Sequence, residues 1–200
     1  MSLVLSKDDI LFSQRFLKAA GYYKGRLDGI WGSKTDTATE VFEKRTAEIA
    51  QMYGIFDSRS EREIATLQPV AQIAARLFLE RLEIADINAR IISGTRTYLE
   101  QERLYQKGRF GNKGPKVTNA RGGRSNHNFG IAWDIGIFKN GRYQGESPLY
   151  NTAGPIGVAD NVEWGGNWKT FKDRPHYQLK TGLTIAEVRK RFESGKQYWQ

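Results

Sequence analysis

The stretch SNHNFGIAWDIGIF, Ser125 to Phe138, holds one of the two histidines of the chain and an aspartate seven positions later. On an unbroken strand, residues an odd number apart point to opposite faces, so His127 and Asp134 can meet only across a break. Asn128 and Gly130 supply turn chemistry between them. His127 then ends one segment, and Ile131 to Phe138 begins a strand with its own facing. In that strand Ile131, Trp133, Ile135 and Ile137 alternate onto one face, which reads as core, while Ala132, Asp134 and Gly136 share the other. The small neighbours leave Asp134 room for a metal and a substrate. Taken alone, each polar residue has a plainer reading: a buried Asp capping a turn, and a His satisfied by hydrogen bonds.

The second histidine, His176, lies in DRPHYQL. Pro175 pushes Arg174 into an extended conformation, so a strand is predicted to begin at His176, with Tyr177 and Leu179 inward and Gln178 beside His176. Cysteine is absent, and a transition-metal site would be built from imidazole and carboxylate, a donor set that suits zinc. His127, Asp134 and His176 make three ligands and leave a fourth position open, as in a catalytic rather than a structural zinc site, one ion per chain. Zinc lowers the pKa of a bound water to about 7 and polarises a carbonyl, and a separate carboxylate must then take and return a proton. Asp173, three residues before His176, is the first candidate for that carboxylate, and Glu163 the second. Arg96, between a strand end and a helix start, is placed to neutralise an oxyanion.

A chain of 200 residues holds one substantial core, or a domain and a small module. Hydrophobic residues at 39% and charged ones at 26% fit an ordinary globular composition, and no apolar run reaches the roughly 18 residues of a membrane span. The net charge of +9 draws the protein towards anionic polymers. Part of it is concentrated: no acid occurs between Glu102 and Asp134, where Lys107, Arg109, Lys113, Lys116, Arg121 and Arg124 accumulate in a Gly-rich loop. That loop reads either as a solvated segment or as a lip facing an anionic envelope. Only Phe110 stands among its cations and no nucleic-acid motif is present, so nucleic acid is not an expected partner.

Ser6 to Ala20 reads as a helix with Ser6 as N-cap and Gly21 beyond its end. Asp28 and Gly29 make a tight turn, and Thr35 to Lys44 suggest a second helix. Residues 49–68 mix charges with Gly54 and Ser58 and read as a linker. Pro69 opens a helix, a strand follows at Ile87 to Ile92, and Thr97 with Glu100 forms a capping box for a helix closing at Gly108. Asn140 and Gly141 are a two-residue hairpin signal. A short helix is expected after Pro148, and Thr184 with Glu187 caps a last helix. Strands alternate with helices without a βαβ rhythm, which predicts an α+β fold: a small, mostly antiparallel sheet with flanking helices carrying a zinc site, plus a small helical N-terminal module.

Two resemblances add to this reading. The order helix, GYYKGRLDGIWG, KTDTATEVF resembles the small peptidoglycan-binding repeat of wall hydrolases, through Asp28, Gly29, Gly32, Thr35, Ala38 and Phe42. SxHxxGxAxD at Ser125 to Asp134, DxxH at Asp173 to His176, SGTRT with Gln101, and WGGNW together resemble the zinc D-alanyl-D-alanine carboxypeptidase superfamily. Within it they are most similar to the L-alanyl-D-glutamate endopeptidases of phage endolysins. The second resemblance implies zinc on His127, Asp134 and His176, Asp173 as general base where many relatives have Glu, and Arg96 on the scissile carbonyl. Ser125, Gln101 and Trp164 are the expected substrate contacts of the peptidase, and Asp28 and Trp31 those of the N-terminal module.

The expected organisation is thus a peptidoglycan-binding-like module at 1–48, a linker at 49–68 and a zinc peptidase domain at 69–200. The expected activity is hydrolysis of the peptidoglycan stem peptide at the L-Ala/D-Glu bond, leading to wall lysis. A DD- or LD-carboxypeptidase and a non-catalytic wall-binding protein are the alternatives. Peptidoglycan is the expected partner, with anionic envelope components beside it, and the protein is expected to act as a monomer. The N-terminus lacks a basic region followed by a long apolar stretch. The expectation is therefore synthesis in a host bacterial cytoplasm without a Sec signal, and action on the wall in the periplasm after release.

Overall fold

A computed structural model describes residues 5–159 and 161–199; residues 1–4, 160 and 200, which the expected 1–48 and 69–200 segments include, lie outside the described residues. In chain order the helices are α1 (Lys7–Ala19), α2 (Ser33–Tyr53), α3 (Ser58–Ile64), α4 (Pro69–Ile84), α5 (Tyr98–Gln106), α6 (Leu149–Gly157) and α7 (Ile185–Glu193). The strands are β1 (Ala89–Ser93), β2 (Ala132–Lys139), β3 (Arg142–Tyr143), β4 (Val162–Trp164) and β5 (His176–Leu179). All strand pairs are antiparallel, so the fold is α+β as expected. By contact the chain divides into two units, one of Met1–Lys44, Arg96–Phe129 and Gly182–Gln200, the other of Arg45–Thr95 and Gly130–Thr181.

The second unit is built on the sheet, in the order β1-β2-β5-β4 with β3 paired to β2. A central strand is covered on both faces, and β2 has the composition for it: Ala132, Trp133, Ile135 and Ile137 are all buried. Asn140 and Gly141, with φ of 51° and 74°, turn β2 into β3, as their sequence predicts. Trp133 and Tyr177 stack with ring planes 12° apart, and Phe78 of α4 closes on Tyr177 at a centroid distance of 4.5 Å. Helix α6 approaches the same aromatic face through glycine. A Cβ on Gly157 would stand 2.5 Å from the Phe78 and Tyr177 rings, and one on Gly154 would stand 2.5 Å from the Trp164 ring. Within this unit Arg76 of α4 is fully buried, and its guanidinium forks onto both Glu61 oxygens at 2.7 Å while also reaching the Gly54 carbonyl. A paired, hydrogen-bonded charge is the tolerable way to bury an arginine.

The first unit is held by aromatic rings. Phe12 of α1 and Phe129 each lie 5.3 Å from Phe192 of α7, and Tyr98 of α5 meets Phe129 edge to face at 6.3 Å. Nearer the N-terminus Leu17, Tyr23 and Ala38 form a smaller core flanked by Tyr22, Leu27 and Phe42. Buried Gln14 braces the Asp28–Gly29 turn, accepting from both backbone amides and donating to the Asp28 carboxylate at 2.9 Å.

Some elements differ from their sequence expectation. Helix α2 continues past Lys44 to Tyr53, because RTAEIAQMY is free of glycine and proline, buries Ile49, and meets its first breaker at Gly54 (φ 95°). The strand expected from Ile87 begins at Ala89, since Ile87 is spent closing α4 by donating to the Leu82 carbonyl.

Candidate metal centre

The β2–β5 ladder opposes Asp134 to His176, Trp133 to Tyr177 and Ala132 to Gln178, and β4 sets Glu163 against Gln178. Directly opposed residues share a face. One face of the sheet therefore carries Asp134, His176, Gln178 and Glu163, and the other carries the apolar Trp133, Tyr177 and Trp164. His176 is 6% exposed, with Nδ1 3.1 Å from Asp134 Oδ1 and Nε2 2.9 Å from Gln178 Oε1. The Gln178 amide in turn donates to Glu163 Oε1. Burial pulls His176 towards its neutral form, but the Asp134 hydrogen bond and charge, with help from Gln178 and Asp173, more than offset it and hold its pKa above the usual histidine value.

The segment leading to His176 is locked by its own backbone. Asp173 N donates to Gly165 O at 3.1 Å, His176 N donates to Asp173 O at 3.3 Å, and Ile135 N donates to Pro175 O at 2.9 Å. Gly165 permits this fold-back, since a Cβ there would stand 2.6 Å from the Asp173 carbonyl. Trp164, expected as a substrate contact, packs on the apolar face and ties the loop by donating its indole N–H to Arg174 O at 2.7 Å. Its neighbour Trp168 is the tryptophan against the imidazole, with ring centroids 5.0 Å apart.

His127 is 2% exposed in a 3-10 turn at Asn126–Phe129, and the turn is closed by Gly130 with φ of 67°. The break foreseen between His127 and Asp134 is thus present. Asn128, read from the sequence only as a turn former, is fully buried and makes four hydrogen bonds: Oδ1 accepts from Gly123 N and Ser125 N, and Nδ2 donates to Arg96 O and Thr97 O. Arg96 N donates to His127 O at 3.0 Å, so the start of α5 and the histidine turn are one braced piece. We expect Asn128→Ala to lose roughly 2–3 kcal/mol, because each buried group left unpaired costs about 1–3 kcal/mol. Urea denaturation reads the change; a loss under about 0.5 kcal/mol, the range of neutral surface substitutions, would show the brace to be dispensable.

Arg96 Nη1 donates to Gln101 Oε1 at 3.1 Å, and buried Gln101 reaches on to Ala120 O at 2.9 Å, so two residues singled out from the sequence stand together. Ser125 caps the histidine turn, its carbonyl accepting from Asn128 N. Asp28 is engaged in its turn, and Gln14 followed by Ile30 N holds its carboxyl below the usual range. Trp31 is 39% exposed and donates to Asp36. In the basic loop two cations have structural partners: Arg121 forks onto Glu102, and Arg109 binds the carbonyls of Tyr105 and Thr118 while lying over the Tyr105 ring.

His127, Asp134 and His176 each offer one ligand atom, and these atoms lie within 4.8 Å of one another. Two imidazole nitrogens and one carboxylate oxygen are a donor set that fits zinc with an open position. No helix among the described residues is long and apolar enough to cross a membrane.

Two buried histidines and a half-buried aspartate with converging ligand atoms make the donor set of a site for a single metal ion. Residues 118–179, which contain all three ligands and Asp173, match the peptidase M15 family model described as D-alanyl-D-alanine carboxypeptidase. The chain is 38% identical over 104 residues to the peptidoglycan L-alanyl-D-glutamate endopeptidase CwlK of Bacillus subtilis, covering 46% of this chain and 61% of that protein. The chain therefore spans about three-fifths of the length of this curated relative. The crystal structure of the Serratia marcescens L-Ala D-Glu endopeptidase ChiX aligns with a TM-score of 0.47 and 27% identity, over 64% of this chain and 90% of that one.

Proposed function

We propose that this chain is a zinc-dependent peptidase of peptidoglycan, cutting the stem peptide between L-Ala and D-Glu. The observation that carries this reading is the convergence of His127, Asp134 and His176 inside the segment that matches the M15 model. The bond is chosen on the similarity to CwlK, whose name gives that specificity.

A zinc ion held by His127, Asp134 and His176 supplies Lewis-acid polarisation of the scissile carbonyl and lowers the pKa of a water molecule to about 7. The chain's own residues do the rest. The Asp173 carboxylate accepts the proton of the attacking water and delivers it to the leaving D-Glu amine. Arg96, its guanidinium steadied by Gln101, neutralises the charge that develops on the carbonyl oxygen. Trp168, against the His176 ring, limits water access around the ligand. The first 48 residues act as the wall-binding module, with Asp28 setting the turn and exposed Trp31 available to glycan. The role is that of an endolysin, made in the host bacterial cytoplasm and acting on the wall in the periplasm after release.

Digestion of defined peptidoglycan, with and without a chelator, tests the reading when the new termini are identified by mass. New D-Glu amino termini that disappear on chelation are the expected result. Released D-Ala would make the protein a carboxypeptidase, the activity in the description of the matching family. No product at all would leave a wall-binding protein.

A further inference from the structure

The polar face of the sheet holds two residues that the proposed reaction does not use directly. Gln178 stands between His176 and Glu163, one residue on each side, all three placed by the antiparallel register of β4, β5 and β2. Its Oε1 lies 2.9 Å from His176 Nε2, and its Nε2 donates to Glu163 Oε1. Ala132, opposite Gln178, is small enough to leave the amide its place.

Donor and acceptor chemistry gives this chain of contacts a direction. A carboxylate accepts and does not donate, so Glu163 selects the orientation in which the amide nitrogen of Gln178 faces it. The amide oxygen must then face His176, and an oxygen can only accept. His176 Nε2 consequently keeps its hydrogen, which leaves Nδ1, the nitrogen turned towards Asp134, as the one that would give up its proton and offer a lone pair to a metal shared with the Asp134 carboxylate. An orientation that Gln178 alone leaves open is thus decided one residue further away, at Glu163.

We propose that Glu163 and Gln178 are a positioning relay that fixes the tautomer and ring orientation of His176 for metal binding. The inference rests on the metal reading of the previous section and goes beyond it by giving Glu163 a task other than proton transfer. Outer partners of this kind typically change metal affinity about 10–100-fold when removed.

The test uses the full chain, loaded with zinc, and reads zinc affinity by competition with a fluorescent chelator together with the imidazole ¹⁵N–¹H spectrum. The chain has two histidines, so the ring signals are few and assignable. In the wild type His176 Nε2 should carry a slowly exchanging proton. Gln178→Met should weaken zinc binding about 10–100-fold and expose that proton to exchange. Glu163→Ala should act in the same direction. The exchanged pair, Glu163→Gln with Gln178→Glu, should recover most of the affinity, because the carboxylate then accepts from both the imidazole and the amide. A wild type that binds no zinc overturns the metal reading itself. A wild type that binds zinc, beside a Gln178→Met variant that binds within about twofold of it, overturns the relay and leaves the metal reading standing. Single variants that weaken zinc with no recovery in the exchanged pair also overturn the relay, since packing alone would then explain them.

Discussion

Asp173→Asn should leave zinc bound while lowering turnover on purified walls by about 10²–10⁴-fold, the usual contribution of general acid–base catalysis. The substitution is nearly isosteric, and two backbone hydrogen bonds that it leaves intact help to position the residue, from Asp173 N to Gly165 O and from His176 N to Asp173 O. Loop geometry should therefore survive. What is lost is the capacity to take a proton and return it. Glu163 is a poor substitute, because its carboxylate is already engaged by the Gln178 amide. Zinc content by elemental analysis and lysis by turbidity make the two measurements. Normal lysis by a zinc-loaded Asp173→Asn protein would sink the assignment.

His127→Ala should lose metal and activity together, weakening zinc by more than the roughly 10–100-fold that loss of an outer partner costs. It removes one of three ligand atoms, and two remaining ligands make a poor zinc site. The surrounding turn should persist, since Arg96 N bonds the His127 carbonyl and Asn128 holds the turn from its other side. A folded, zinc-free and fully active variant would remove the metal centre from the account altogether.

The parts of the fold that were legible in the sequence are those decided within a few residues. Thr97 with Glu100 and Thr184 with Glu187 form the reciprocal caps of a helix start, three positions apart, and Ser6 is the N-cap of α1. Asn140 and Gly141 likewise turn where only such residues can. Three-residue β4 carries too short a pattern to be seen alone; pairing with β5 makes it a strand. For the site, the histidines and aspartate were visible by residue type. The opposition of Asp134 to His176, 42 residues apart, was not, because it is a property of strand order. Asn128 and Gln178 escaped for a related reason. Each has near partners, Gly123 and Ser125 for Asn128 and His176 for Gln178, but the distant ones, Thr97 31 residues from Asn128 and Glu163 15 residues from Gln178, leave no local hint in an amide. Trp168 was legible as half of WGGNW, but which tryptophan meets the imidazole depends on the fold-back at Gly165.

The direct opposition of Asp134 and His176 has a consequence for how the chain folds. Side chains on a strand alternate between faces, so a slip of β2 against β5 by one residue would send Asp134 to the tryptophan side of the sheet and set Trp133 or Ile135 against the histidine. Such a misfolded ladder could still be compact, since both faces of β2 are largely apolar. It could not gather the ligands. A metal ion that binds only the correct ladder stabilises it in proportion to the logarithm of its free concentration. Zinc would thus proofread the sheet, and a protein refolded without it would be the one to accumulate the wrong alignment.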